Sequence, residues 1–236
     1  MKKLFVPIAI VVSMLSLTLT SCDQIVGVLE GILTEGDAAD GLKEALRVGA
    51  DTAVANGGEQ DGYFKNKAIK ILLPPEGKVI VDVINSVPGG PVLVDQVVLK
   101  LNRAAEKAAP AAKDILVDAI VGITISDAIS IVNGSNDAAT QYLRSKTQPK
   151  IAAAFKPEIQ KTLESVGAQD AWGQLTTNYN FVAPLLQKPT VNTDLADYTT
   201  NKALDGLFHL VAEEEGKIRE DPLHRVSEIL AKVFGK

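Results

Sequence analysis

The sequence predicts an all-α protein: a compact multi-helix domain of about eight to ten helices. Three features carry this reading. Apolar residues recur at spacings of three and four along most of the chain. Helix start and stop residues bracket those stretches. Only one short run is β-branched enough to suggest a strand.

Taken in order, Leu42, Ala45, Leu46, Gly49 and Ala53 form one apolar stripe, closed by Asn56-Gly57-Gly58. Residues 59–75 read as a loop with an apolar stretch, Ile69 to Leu73, that is either extended or a short helix. Val79 to Ile84 favours a strand, and a hairpin across Pro75-Glu76-Gly77 is its alternative. Residues 69–90 are therefore expected to be a short hairpin or an irregular segment. Pro91 suits a first helical turn, and Val94, Val97, Val98, Leu101, Ala104, Ala105 and Ala108 follow at helical spacing. Pro110 kinks or ends that helix. The pattern resumes over Ile115, Leu116, Ala119, Ile120 and Ile123. Thr124 and Asp127 are placed as a capping box for a short helix that stops at Asn133-Gly134. Helices are expected over 135–147, 149–166, 169–182, 194–220 and 223–234. Asp194 and Asp197 favour the start of the long late helix, and Glu213–Lys217 and Glu215–Arg219 are i, i+4 pairs along it.

The N-terminus is read as a lipoprotein signal. Lys2 and Lys3 precede an apolar run to Leu19, and the run ends in Leu19-Thr20-Ser21-Cys22, an aliphatic residue and two small ones before a cysteine. The expected organisation is a signal peptide over 1–21, an acylated Cys22 with a tether over 22–36, and one helical domain over 37–236. Cys22 would carry the lipid and hold the protein in a bacterial cell envelope, on the periplasmic face. Asp23 leaves inner and outer membrane both open.

Composition narrows the function classes. The 236 residues are 46% hydrophobic, with 24 Lys+Arg against 29 Asp+Glu, a net charge of −5. That balance argues against a nucleic-acid partner. Cleavage before Cys22 removes two lysines and makes the chain more acidic still. The single cysteine cannot make an internal disulfide or a multi-thiolate metal site, and once acylated it cannot be a nucleophile.

Several blocks together resemble a bacterial family of domains of unknown function, numbered 4197. They are Asn102-Arg103-Ala104-Ala105-Glu106, Ile125-Ser126-Asp127-Ala128-Ile129, Asp137-Ala138-Ala139-Thr140-Gln141-Tyr142, and a C-terminal block from Asp194 through Gly206, the Glu213-Glu214-Glu215 run and Arg225 to Gly235. The resemblance covers roughly residues 37–236 and implies a helical envelope protein with no established activity. The chain departs from the family pattern at 75–90, where Gly77, Pro88, Gly89, Gly90 and several valines replace a leucine-rich helix.

The candidate chemistry centres on Asn102, Arg103 and Glu106, which spacing allows to meet on one shoulder of an apolar helix. Glu214 interrupts the stripe Leu207, Val211, Ile218, so it is expected to be half-buried and to need a donor. Arg103, Arg219 or Arg225 could supply it. The set reads either as a polar site at the base of a groove or as a salt-bridge network that pins helices, the second being the commoner use of such residues. Asp114, Asp118 and Asp127 lack a calcium-loop pattern and read as a solvated acidic face. His209 with Glu213, and His224, lack the repeats of a metal site, so no metal or cofactor is expected. Trp172, Tyr179 and Phe181, near Asn178 and Asn180, read as core and capping residues.

The leading expectation is a non-enzymatic, membrane-anchored binding module for an apolar or amphipathic ligand. An assembly protein acting through protein contacts and a hydrolase built on the Arg/Glu cluster are the alternatives.

Overall fold

The computed structural model describes residues 35–75, 78, 82, 90–165 and 167–220. The expected signal peptide, Cys22, Arg225, His224 and the helix over 223–234 lie outside the described residues, as does most of the strand expected over 79–84. Asp82, the one described residue of that run, is helical and not extended, and it forms an i, i+4 ion pair of 2.9 Å with Lys78, also helical.

Seven α-helices occur among the described residues: α1 (Glu35–Gly58), α2 (Gly90–Ala108), α3 (Lys113–Val121), α4 (Ile125–Val132), α5 (Ala138–Ser165), α6 (Ala168–Val182) and α7 (Leu195–Glu220). Short 3-10 turns at Ala109–Ala112 and Pro184–Leu186 join α2 to α3 and follow α6. No strand is present among the described residues. α1 starts at Glu35, slightly before the expected domain start.

The count among the described residues leaves out the helix expected over 223–234, and it is lower also because residues 135–147 and 149–166 are not two helices. They are one continuous helix, α5, which runs through Pro149 and Pro157. Each proline removes one N–H donor and crowds the preceding turn. Both are exposed, on the side away from the buried line Leu143, Thr147, Ile151, Phe155, Ile159 and Leu163. The carbonyls they leave without a partner therefore face water, and burial of the opposite stripe holds the helix together.

Thr124 and Asp127 form the expected capping box: the threonine hydroxyl accepts from the Asp127 N–H at 3.1 Å, and the Thr124 N–H donates to Asp127 Oδ2 at 3.1 Å. Pro110 lies in the turn where α2 gives way to α3. The alanines Ala104, Ala105, Ala108, Ala109 and Ala112 are all buried, and their small side chains allow close helix packing.

α7 packs along both α1 and α5, and α5 also packs along α2. α1 and α7 are antiparallel: Gly49 lies against Glu214 and Ile218, Gly57 against Leu210, and Tyr63, just beyond α1, against Gly206. The core is filled by Leu42, Tyr63, Leu101, Leu116, Leu143, Phe155, Leu204 and Phe208.

Ile69 closes a turn on the Asn66 carbonyl, and the chain runs on from it without helix over 70–74. Ile69 and Ile71 are buried while Lys70 and Leu72 are exposed, the period-two alternation of an extended chain. It ends at Pro75 and lies along the first half of α7.

Candidate functional site

The polar residues singled out by the sequence do not form one site. Those described fall into four places: Asn102 with Ile71, Arg103 with Glu106, Glu214 with Lys217, and Arg219 with Glu215.

Asn102 projects from α2 and is fully buried. It does not meet Arg103 or Glu106. Its Oδ1 accepts from the Ile71 N–H at 2.8 Å, and its Nδ2 donates to the Ile71 carbonyl at 2.8 Å and the Val98 carbonyl at 2.7 Å. One carboxamide thus supplies the two hydrogen bonds that a neighbouring strand would give to an extended residue.

Arg103 and Glu106 do meet, as their spacing predicted, at 2.5 Å. Glu106 Oε1 accepts from the N–H groups of Tyr63 and Phe64, both at 3.1 Å, so the carboxylate is engaged at both oxygens. Arg103 reaches on to Asp61 at 2.6 Å, which also pairs with Lys65 at 2.8 Å. Lys65 and then Arg103 hold the Asp61 carboxyl below the usual range. Glu106, with Asp61 second, pushes the Arg103 guanidinium up. The cluster ties the turn after α1 to α2. Burial pushes the phenol of Tyr63 well above its ordinary value, so it stays protonated and donates to the Ala203 carbonyl at 2.7 Å.

Glu214 is buried, but its partner is Lys217 at 2.6 Å, not Arg103 or Arg219. Arg219 instead grips Glu215, with Nη2 to Oε1 at 2.8 Å, and this pair is almost entirely buried. Glu215 accepts from the N–H groups of Ala139 and Thr140 and from the Thr140 hydroxyl, at 2.8–3.0 Å. Arg219 donates to the carbonyls of Ile131 and Val132. The acid therefore caps the start of α5 and the base caps the end of α4, each on the side its helix dipole favours. The sequence marks Glu215–Arg219 only as an i, i+4 pair. Nothing local to α7 shows that two other helix ends converge on it.

Phe181, expected in the core, is 82% exposed. Trp172 is buried and donates to the Asn192 carbonyl at 3.0 Å. Asn180 pairs with both the N–H and the carbonyl of Val191 at 2.7 Å, the arrangement Asn102 makes with Ile71. His209 lies 3.4 Å from Glu213 on an exposed face. Among the described residues no group of three or more His, Cys, Asp or Glu side chains could hold a metal.

What remains is an open cleft of about 530 Å³ between the extended stretch and α7. Ile69, Ile71, Leu72 and Leu73 line it from the extended stretch, and Tyr198, Lys202, Asp205, Gly206 and His209 from α7. Tyr198 holds the two walls together by donating to the Leu72 carbonyl at 3.1 Å. Leu72 remains 59% exposed. Sequence reasoning missed this cleft because its walls lie more than a hundred residues apart. The run Ile69-Lys70-Ile71-Leu72-Leu73 carries no local signal of it, since what alternates there is burial and not residue type.

Fold and geometry define an all-helical domain whose buried charges join helices and whose one sizeable described cleft has apolar residues and lysines in its walls. The chain belongs to the family described as Protein of unknown function (DUF4197), whose model matches residues 32–235. Neither the curated proteins nor the solved structures compared with it give a match.

Proposed function

We propose that this protein is a lipid-anchored, non-enzymatic binding module of the bacterial cell envelope, whose ligand occupies the cleft between residues 69–75 and α7. The observation that carries the reading is the cleft itself. It combines concavity, exposed leucine surface and a few polar side chains, the usual make-up of a small-molecule site. The N-terminal apolar run ending in Cys22 supports the anchored location. Among the described residues no single helix is long and apolar enough to cross a membrane. The Arg103–Glu106 and Glu215–Arg219 groups are held by backbone and side-chain partners and do not converge on the cleft, so catalysis by them has no geometric support.

Native mass spectrometry of the purified full chain tests the reading. A co-purifying small molecule that is lost when Leu72 and Leu73 are changed to serine supports it. A ligand-free chain that also takes up no added amphiphile overturns it. A second reading, an assembly protein, draws on Phe181 and Leu185, four residues apart and 82% and 79% exposed. In-cell cross-linking from position 181 should then capture one reproducible envelope protein, and a chain that stays uncross-linked removes that reading.

A further inference from the structure

We infer that the cleft selects a single-chain amphiphile with a carboxylate head, a long-chain fatty acid. The inference rests on the proposed binding role and adds the chemical class of the ligand.

Charge supports the anionic head. The whole chain is acidic, at −5, yet the charged groups lining the cleft are the two lysines Lys70 and Lys202 against the single acid Asp205. Asp205 is already held by Arg144 at 2.5 Å, while Lys202 lies farther from it, at 3.7 Å. Lys70 sits over the Phe64 ring, 4.3 Å from its centre, and no carboxylate pairs with it among the described residues. Lys70 belongs to the extended wall and Lys202 to the helical wall, so each wall of the cleft supplies one lysine. A carboxylate bound between them gains from both.

The apolar tail follows from the walls. Leu72 is exposed where its neighbours Ile69 and Ile71 are buried, so an occupant would remove a large apolar side chain from water. At about 530 Å³ the cleft falls within the ~300–1,000 Å³ of sites that hold one drug-sized ligand, the size of a single long-chain fatty acid.

Photo-crosslinking of the full chain in phospholipid nanodiscs tests this, because the labelled peptide separates cleft binding from partition into the bilayer. Three probes are compared: photoreactive palmitate, the corresponding uncharged alcohol, and a photoreactive two-chain phosphatidylglycerol. The expected result is palmitate labelling within 69–73 and 198–209, at least about fivefold above the alcohol, the scale of exposed ion pairs. Lys70→Glu with Lys202→Glu should lower palmitate labelling by a similar factor and leave alcohol labelling unchanged. Both lysines are exposed, so the fold tolerates the change. Equal labelling by the alcohol overturns the anionic head while leaving the binding role intact. Equal labelling by phosphatidylglycerol overturns the single chain. Absence of cleft labelling by all three probes overturns the inference and the binding role together.

Discussion

Asn102 shows how much one buried side chain can decide. Its carboxamide satisfies both backbone groups of Ile71 in a place where water does not reach. Asn102→Ala leaves a buried N–H and a buried carbonyl unpaired, and urea denaturation should show a loss of about 2–4 kcal/mol. A loss under about 1 kcal/mol would mean that water replaces the amide. Asp61 supplies a pH signature. Its carboxyl is held below its ordinary value of 3.8 by Lys65 and Arg103, so the folded state binds that proton less readily than the unfolded chain. The stabilisation is complete above the ordinary value and disappears as pH falls through the depressed one. The melting-temperature gap between the wild type and Asp61→Asn should therefore be steady near neutrality and close in acid. A gap that widens in acid contradicts the pairing. At this scale the sequence was partly legible. Arg103 and Glu106 are three residues apart on one helix, and their contact follows from helical geometry. Asp61 and Ile71, the partners that give Arg103 and Asn102 their roles, lie about thirty to forty residues away on a loop with no regular pattern.

Among the elements, the short helix α4 depends on its capping box. Thr124→Ala should cost about 1 kcal/mol, read as a lowered denaturation midpoint, and Thr124→Ser should restore most of it. The contact between α7 and the residues following α1 is closer. A Cβ added at Gly206 would lie 2.5 Å from the Tyr63 ring and 3.1 Å from Ile69 Cβ. Gly206→Ala should therefore destabilise by about 1–3 kcal/mol, and it should also loosen the cleft wall, seen as faster amide exchange at 69–73. An alanine variant as stable as the wild type would show that Tyr63 has room to move. Helix positions were well read from periodicity and caps, because those signals are local. α5 was misread as two helices for the same reason. Proline is a strong local stop signal, and only the burial of Leu143, Thr147, Ile151, Phe155 and Ile159 against other helices outweighs it. The extended stretches at Ile71 and Val191 were illegible for a different reason. Each takes its hydrogen bonds from an asparagine on a helix and not from a strand.

For the whole molecule, antiparallel packing of α1 and α7 places Leu42, Ala45 and Leu46 of α1 beside Ile218 and Arg219 at the C-terminal end of α7, while the cleft lies along the N-terminal half of α7. Anchoring is tested separately from the fold. Cys22→Ala should move the protein from the membrane pellet to the soluble fraction with its circular dichroism unchanged, and persistent pelleting of that variant would refute lipid attachment through Cys22. The amino-acid order was enough for the helical class, the capping box, the break at Pro110 and the Arg103–Glu106 pair, since each arises from residues within a turn or two of one another. Pairing Glu215 with the start of α5, Asn102 with Ile71, and Tyr198 with Leu72 needed the folded chain. Those contacts join residues 31 to 126 positions apart, where burial and the need to satisfy every polar group choose the partner, and local spacing carries no information about them.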